Sequence, residues 1–132
     1  MRINTKAKGS NAERELFKMF WNFGWACVRS AGSGSNRYPS PDLLAANGIR
    51  MVAIEVKILA DTSKYFPKKE ISELKTFARL FGAEPWVCVK FRSEKWSFVK
   101  VDDLVPSENS FVLTLARSNE VGFDFDRFVS LF

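Results

Sequence analysis

At 132 residues and 46% hydrophobic content, the chain is long enough for one domain with a packed core and too apolar to be disordered over most of its length. It contains no histidine, which excludes His-based triads, His general bases and His metal ligands; any metal must sit on oxygen, pointing to Mg²⁺ or Mn²⁺ rather than zinc. Lys and Arg number 20 against 15 Asp and Glu, and the resulting +5 suits a polyanionic partner without demanding one. No apolar segment approaches transmembrane length and no signal-peptide core opens the chain, so a soluble, cytoplasmic protein without a membrane partner is expected. Cys27 and Cys88 lie in apolar runs without CxxC spacing and read as buried free thiols.

Residues 1–9 carry Arg2, Lys6 and Lys8 without periodicity and read as a flexible basic arm. Ser10-Asn11-Ala12-Glu13 is a capping-box pattern that predicts a helix from there to about Phe23, stopped by Gly24. Its core stripe is Ala12, Leu16, Met19, Phe20 and Phe23, with Glu13 at the stripe's edge and Arg14 and Lys18 toward solvent. Trp21 falls nearly opposite that stripe and hints at a partner surface. A strand is expected over Trp25–Ser30, followed by a Gly-, Ser- and Pro-rich loop over 31–41. That loop has neither a GxGxxG pattern nor a Walker lysine, so no nucleotide cofactor is expected. It reads either as an ordinary surface loop or as a flexible flap offering Ser33 and Arg37 to a phosphate.

Asp42–Ala46 resumes an extended run, and Asn47-Gly48 predicts a two-residue hairpin turn into the strand Met51–Ile58. Alternation puts Glu55 and Lys57 on one face of that strand and Val52, Ile54, Val56 and Ile58 on the other. Two opposite charges within a core strand are costly unless compensated. A salt-bridged pair on an edge strand is one solution. The other is a metal-dependent phosphodiesterase site, with the hairpin bringing Asp42 alongside Glu55. Asp42 and Glu55 are then the leading ligands, the Val56 carbonyl and Glu13 complete the set, and Lys57 orients water or stabilises the transition-state oxyanion. Arg14 and Arg29 hold phosphates or are simply surface and strand-end charges.

Residues 60–66 read as a polar connection, and Pro67 opens a second helix that ends near Gly82. Its stripe of Ile71, Leu74, Phe77, Ala78 and Phe81 is broad enough for a core and a second surface. A hairpin of Trp86–Phe91 and Trp96–Val101 follows, then a short turn at Asp102, a strand near Phe111–Leu115 and a short segment from Asp124. Nothing divides the chain, so 1–132 is expected to be one domain.

The motifs Lys8-Gly9-Ser10, Ala12-Glu13-Arg14, Arg29-Ser30-Ala31-Gly32-Ser33-Gly34, Pro41-Asp42 and Glu55-Val56-Lys57 together resemble the archaeal Holliday-junction resolvases of the PD-(D/E)xK nuclease superfamily. The likeness extends over about residues 8–104. It implies an α/β fold with a mixed central β-sheet flanked by helices, the restriction-endonuclease-like core. It further implies a homodimer that binds four-way junction DNA and nicks opposing strands symmetrically with Mg²⁺, for which Mn²⁺ substitutes, in recombination and repair close to the nucleoid. Glu13, Asp42, Glu55, Lys57 and Ser33 take catalytic roles by this resemblance. Lys8, Arg14, Arg29 and Arg37 contact DNA, and Phe77 and Phe81 pack the dimer. Glu70 stands where many relatives carry Gln, and its role is left open. The alternatives are another nuclease of the superfamily acting on flaps, branched DNA or duplex, and a catalytically silent junction-binding protein.

Overall fold

The computed structural model describes residues 5–30, 38–92 and 95–131, with backbone alone for 5–7. In chain order the elements are α1 (Thr5–Asn22), β1 (Ala26–Arg29), β2 (Leu43–Ala46), β3 (Met51–Leu59), β4 (Ser63–Pro67), α2 (Lys68–Phe81), β5 (Glu84–Phe91) and β6 (Ser97–Lys100). A 3₁₀ turn at Val101–Asp103 leads to β7 (Val105–Pro106), β8 (Ser110–Thr114), α3 (Leu115–Val121) and α4 (Phe125–Ser130). A five-stranded mixed sheet in the order β1-β2-β3-β5-β6 forms the centre, with β3 and β5 its one parallel pair. The crossover between those two strands carries β4 and α2.

Each face of this sheet has its own core. Leu16 and Phe20 of α1 and Phe128 of α4 pack on Val52, Ile54, Val56 and Phe98. On the opposite face Ile71, Leu74 and Ala78 of α2 pack on Ala53, Val87, Val89 and Val99. The alternation along β3 therefore divides its side chains as the sequence predicts, with Glu55 and Lys57 on the α2 side. Both cysteines are free and buried; burial pushes the Cys27 thiol up to about 12 and raises the Cys88 thiol well above its ordinary value.

Five expectations need correction. Helix α1 begins at Thr5, so residues 5–9 are helical and not an arm. Lys6, Ala7 and Lys8 are good helix formers, and one glycine at position 9 costs only about 1 kcal/mol, which the long packed helix beyond it outweighs. Residues 1–4 lie outside the described residues. Phe23 is half exposed and rests edge-on against Phe125, because α1 ends one residue earlier, at Asn22, and Gly24 turns the chain with a φ of +96°. The β2–β3 connection holds four residues, Asn47 to Arg50, because the Asn47 side chain accepts the N–H groups of both Ile49 and Arg50. Residues 63–67 are a strand: β4 joins β8 and β7 in a second, three-stranded sheet and buries Phe66. Residues 115–121 form a helix that the sequence reading did not foresee, its N-cap Thr114 accepting the N–H of Arg117 at 3.0 Å.

Two further contacts organise the periphery. Arg50 is buried, forks onto Glu84 through Nε and Nη2 at 2.9 Å each, and donates through Nη1 to the carbonyls of Phe128 and Leu131. At the edges of the large sheet, Trp21 Nε1 donates to the Cys27 carbonyl at 3.0 Å, and Phe123 exchanges two backbone hydrogen bonds with Phe98.

Candidate active site

The first residue of the site is placed by backbone. Ser30 N–H donates to the Asp42 carbonyl at 3.0 Å, carrying the β1–β2 ladder one step past the strands and fixing Asp42 at the head of β2. Leu43 pairs with Ile54, so Asp42 stands across from Glu55. Its own side chain is buried, and Oδ2 accepts the main-chain N–H of Val56 at 2.8 Å. In a strand the N–H and C=O of one residue project to the same side. The Val56 carbonyl therefore leaves β3 on the Asp42 side, where the sequence reading wants it.

Glu55 meets Asp42 there. Burial, the Asp42 charge and the Glu70 charge push its pKa up to about 9, only partly offset by Lys57, and a hydrogen bond with Asp42 favours the protonated form. Glu55 therefore keeps its proton through neutral pH beside the Asp42 carboxyl group. Lys57 projects from the same face two residues on, with Nζ 3.3 Å from Oε1 of Glu70 in the first turn of α2. Burial pulls the Lys57 pKa down, but Glu70, Glu55 and Asp42 together outweigh it and hold the ammonium above its ordinary value. Glu13 reaches the rim from α1. Its Oε1 accepts from Arg29 Nε at 2.9 Å, and burial followed by the Asp42 charge raises its pKa despite that ion pair.

The structure thus brings together Asp42, Glu55, Lys57 and the Val56 main chain, with Glu13 beside them. Among the described residues no group of three or more acidic or thiol side chains is arranged to hold one metal ion. The donors that do converge, the Asp42 and Glu55 carboxyl groups and the Val56 carbonyl, are all hard oxygens. This fits a divalent ion held by two carboxylates, one carbonyl and water, the coordination Mg²⁺ favours, better than a three-carboxylate cage.

Arg29 has a role that the sequence did not disclose, as the partner of Glu13. Arg14 is exposed on α1 and touches Asn11, and Lys8 is exposed one and a half turns earlier. Ser33, Arg37 and most of the 31–41 flap lie outside the described residues. Phe77 and Phe81 stack with centroids 5.1 Å apart on α2, Phe77 partly buried against the core and Phe81, like Leu80, exposed. Glu70 is the residue the sequence reading left without a role, although its place three residues after Pro67 marks it as a first-turn acid.

Comparison with known proteins is consistent with this geometry. The family model described as archaeal Holliday junction resolvase (Hjc) matches residues 4–131. The crossover junction endodeoxyribonuclease Hjc of Archaeoglobus fulgidus is 42% identical over 106 residues, covering 80% of this chain and 78% of the relative. The protein of the same name from Sulfolobus acidocaldarius is 31% identical over 129 residues, covering 96% of this chain and 90% of its own. The solved structure of the Archaeoglobus fulgidus Hjc, described as a Holliday junction resolvase, superposes with a TM-score of 0.86 at 34% identity over 92% of this chain and all of that one.

Proposed function

The chain belongs to the archaeal Holliday junction resolvase family, and from that premise we propose that it is an endonuclease that resolves four-way DNA junctions by symmetric nicking of opposing strands in recombination and repair. Divalent-metal dependence comes with the family; our finer reading is Mg²⁺, with Mn²⁺ able to replace it. The observation that carries this reading is buried Asp42 set against partly buried Glu55, with Lys57 on the same strand face. Burial and the Asp42 charge make ionisation of Glu55 costly, a cost that a structural role does not explain.

When bound, a divalent ion lowers the pKa of water and neutralises charge developing on the phosphate. Asp42, oriented by the Val56 N–H, and Glu55 would hold that ion together with the Val56 carbonyl. Lys57 orients the attacking water and stabilises the oxyanion that forms at phosphorus. Glu13 acts from the rim, through water, and fixes Arg29, whose guanidinium faces the phosphate backbone. Arg14, Lys8 and, from the flap, Arg37 and Ser33 extend that contact. Such contacts position a protein on nucleic acid without reading sequence. Selectivity for junctions then follows from a homodimer, formed through Phe77, Leu80 and Phe81, that sets two active sites at a separation matching opposing strands.

The test is cleavage of an immobile four-way junction in Mg²⁺, with an equal-length duplex and a flap as controls and Asp42→Asn beside the wild type. Paired symmetric nicks on the junction alone, abolished in the variant with binding retained, are expected. Tight binding without cleavage in either metal would make the chain a junction-binding scaffold. Equal cutting of duplex or flap would leave the nuclease and remove the junction selectivity.

A further inference from the structure

Four carboxylates and two cations share the cleft among the described residues: Glu13, Asp42, Glu55 and Glu70 against Arg29 and Lys57. They are not mixed at random. Arg29 is paired with Glu13 at 2.9 Å and Lys57 with Glu70 at 3.3 Å. Those two pairs cancel, leaving Asp42 and Glu55, whose full ionisation gives two negative charges, the complement of one divalent cation. Lys57 and Glu55 stand two residues apart on one face of β3, so an ammonium released by Glu70 has a second carboxylate within reach. Glu70 itself is an expensive residue to keep: its Oε1 is buried and meets no aligned hydrogen bond, the Lys57 ammonium being its ionic partner off the hydrogen-bond axis. Helix α2 supplies partial compensation, because Glu70 sits in the first turn, where the helix dipole favours an anion.

We propose that Glu70 is a positioning residue that holds the Lys57 ammonium off Glu55, so that Lys57 does not compete with the divalent ion for the Glu55 carboxylate. This rests on the assignment of Asp42 and Glu55 as the metal-holding pair. Glu70 touches neither substrate nor ion; it acts through Lys57. Its removal frees an internal cation to occupy the metal's place.

The experiment is a Mn²⁺ titration of the full chain without DNA, counting free ion by its hexaaqua paramagnetic resonance signal, with thermal melts to verify folding. Glu70→Ala is expected to weaken Mn²⁺ binding about tenfold, the scale of one unscreened charge brought to a half-buried site. Glu70→Gln, which keeps an acceptor for Lys57 but not the charge, falls between it and the wild type. The decisive variant is Glu70→Ala combined with Lys57→Ala, which regains wild-type affinity because the competitor is gone. Neither a direct metal ligand nor a purely structural residue would be rescued in that way. A double variant as weak as Glu70→Ala alone, or a single variant with unchanged affinity, overturns the proposal. If Glu70→Ala does not fold, Glu70→Gln with and without Lys57→Ala makes the same comparison. A folded wild type that binds no Mn²⁺, indistinguishable from Asp42→Asn, would instead overturn the metal assignment and this inference together.

Discussion

Asp42 Oδ2 accepts the main-chain N–H of Val56 at 2.8 Å, so the carboxylate at the head of one strand is fastened to the strand that carries Glu55 and Lys57. The bond turns the carboxylate toward the site without consuming any other side chain. It also sets the Asp42 charge against Glu55, a repulsion that the metal-free site meets only by holding Glu55 protonated.

Relief of that repulsion should be measurable. Asp42→Asn keeps an oxygen for the Val56 N–H and removes one acid from the pair. The metal-free variant should be at least as stable as the wild type to urea, while the stabilisation that Mg²⁺ gives the wild type should vanish. A variant more than about 1 kcal/mol less stable without metal would mean that the bond, and not the repulsion, dominates.

The raised pKa of Glu55 gives metal binding a defined pH dependence. A folded acid that titrates near 9 instead of 4.5 binds its proton more tightly than the unfolded chain does, so the metal-free protein loses stability as pH rises across that window. Binding of a divalent ion must expel the proton. Affinity should therefore climb by up to about tenfold per pH unit between pH 6 and 8. Calorimetry in two buffers of different ionisation heat should register the proton released; equal heats in both would contradict a protonated Glu55.

Arg50 should be among the costliest residues to replace outside the site. Removing it leaves the Phe128 and Leu131 carbonyls and the Glu84 carboxylate without their donor. Arg50→Met should cost about 3 kcal/mol in urea denaturation, and Arg50→Lys should recover only part, because an ammonium cannot reproduce the fork. The Arg50 hydrogen bonds hold the Glu84 pKa below its ordinary value. The pair's contribution is thus present above the usual carboxylate range and is lost as pH falls through the lowered value. The gap between wild type and Arg50→Met should narrow at acid pH to the part owed to the Phe128 and Leu131 carbonyls; a constant gap would deny the pair its charge.

Phe81→Asp should divide the proposed dimer. Phe81 and Leu80 are exposed on α2, and Phe77, itself partly buried against the core, stacks on Phe81 to extend the apolar patch. A charge at its centre should yield a monomer by sedimentation velocity with an unchanged melting profile, and should abolish paired nicking of junctions. A variant that still sediments as a dimer would move the interface elsewhere.

Much of the site was legible because it depends on local periodicity. Strand alternation assigns Glu55 and Lys57 to one face from three letters of sequence, and Asn47-Gly48 announces the return that brings Asp42 beside them. The two helical stripes were legible for the same reason up to their ends, where Phe23 and Phe81 run past the sheet and the period no longer reports burial. What escaped depends on partners far along the chain. Ser63–Pro67 is a strand only because Ser110–Thr114 lies beside it, and Phe66 alone marks its inner side. Arg50 looks like a surface charge at a hairpin tip until Glu84 and the last turn of α4 close over it. The link between Glu70 and Lys57 likewise requires the crossover to bring α2 back over β3.

The two closed edges of the large sheet restrict how this molecule can meet another. A neighbouring strand approaching β1 finds the Cys27 carbonyl already taken by the Trp21 indole, and one approaching β6 finds Phe98 already bonded to Phe123. Growth of the sheet from chain to chain, the common route to insoluble assembly, is obstructed on both sides without a proline in either edge strand, and the exposed Lys100 adds a charge to the β6 edge. Association through this sheet is thereby reserved for side-chain surfaces, which recognise shape and charge, and is denied to the main chain, which would accept almost any extended partner.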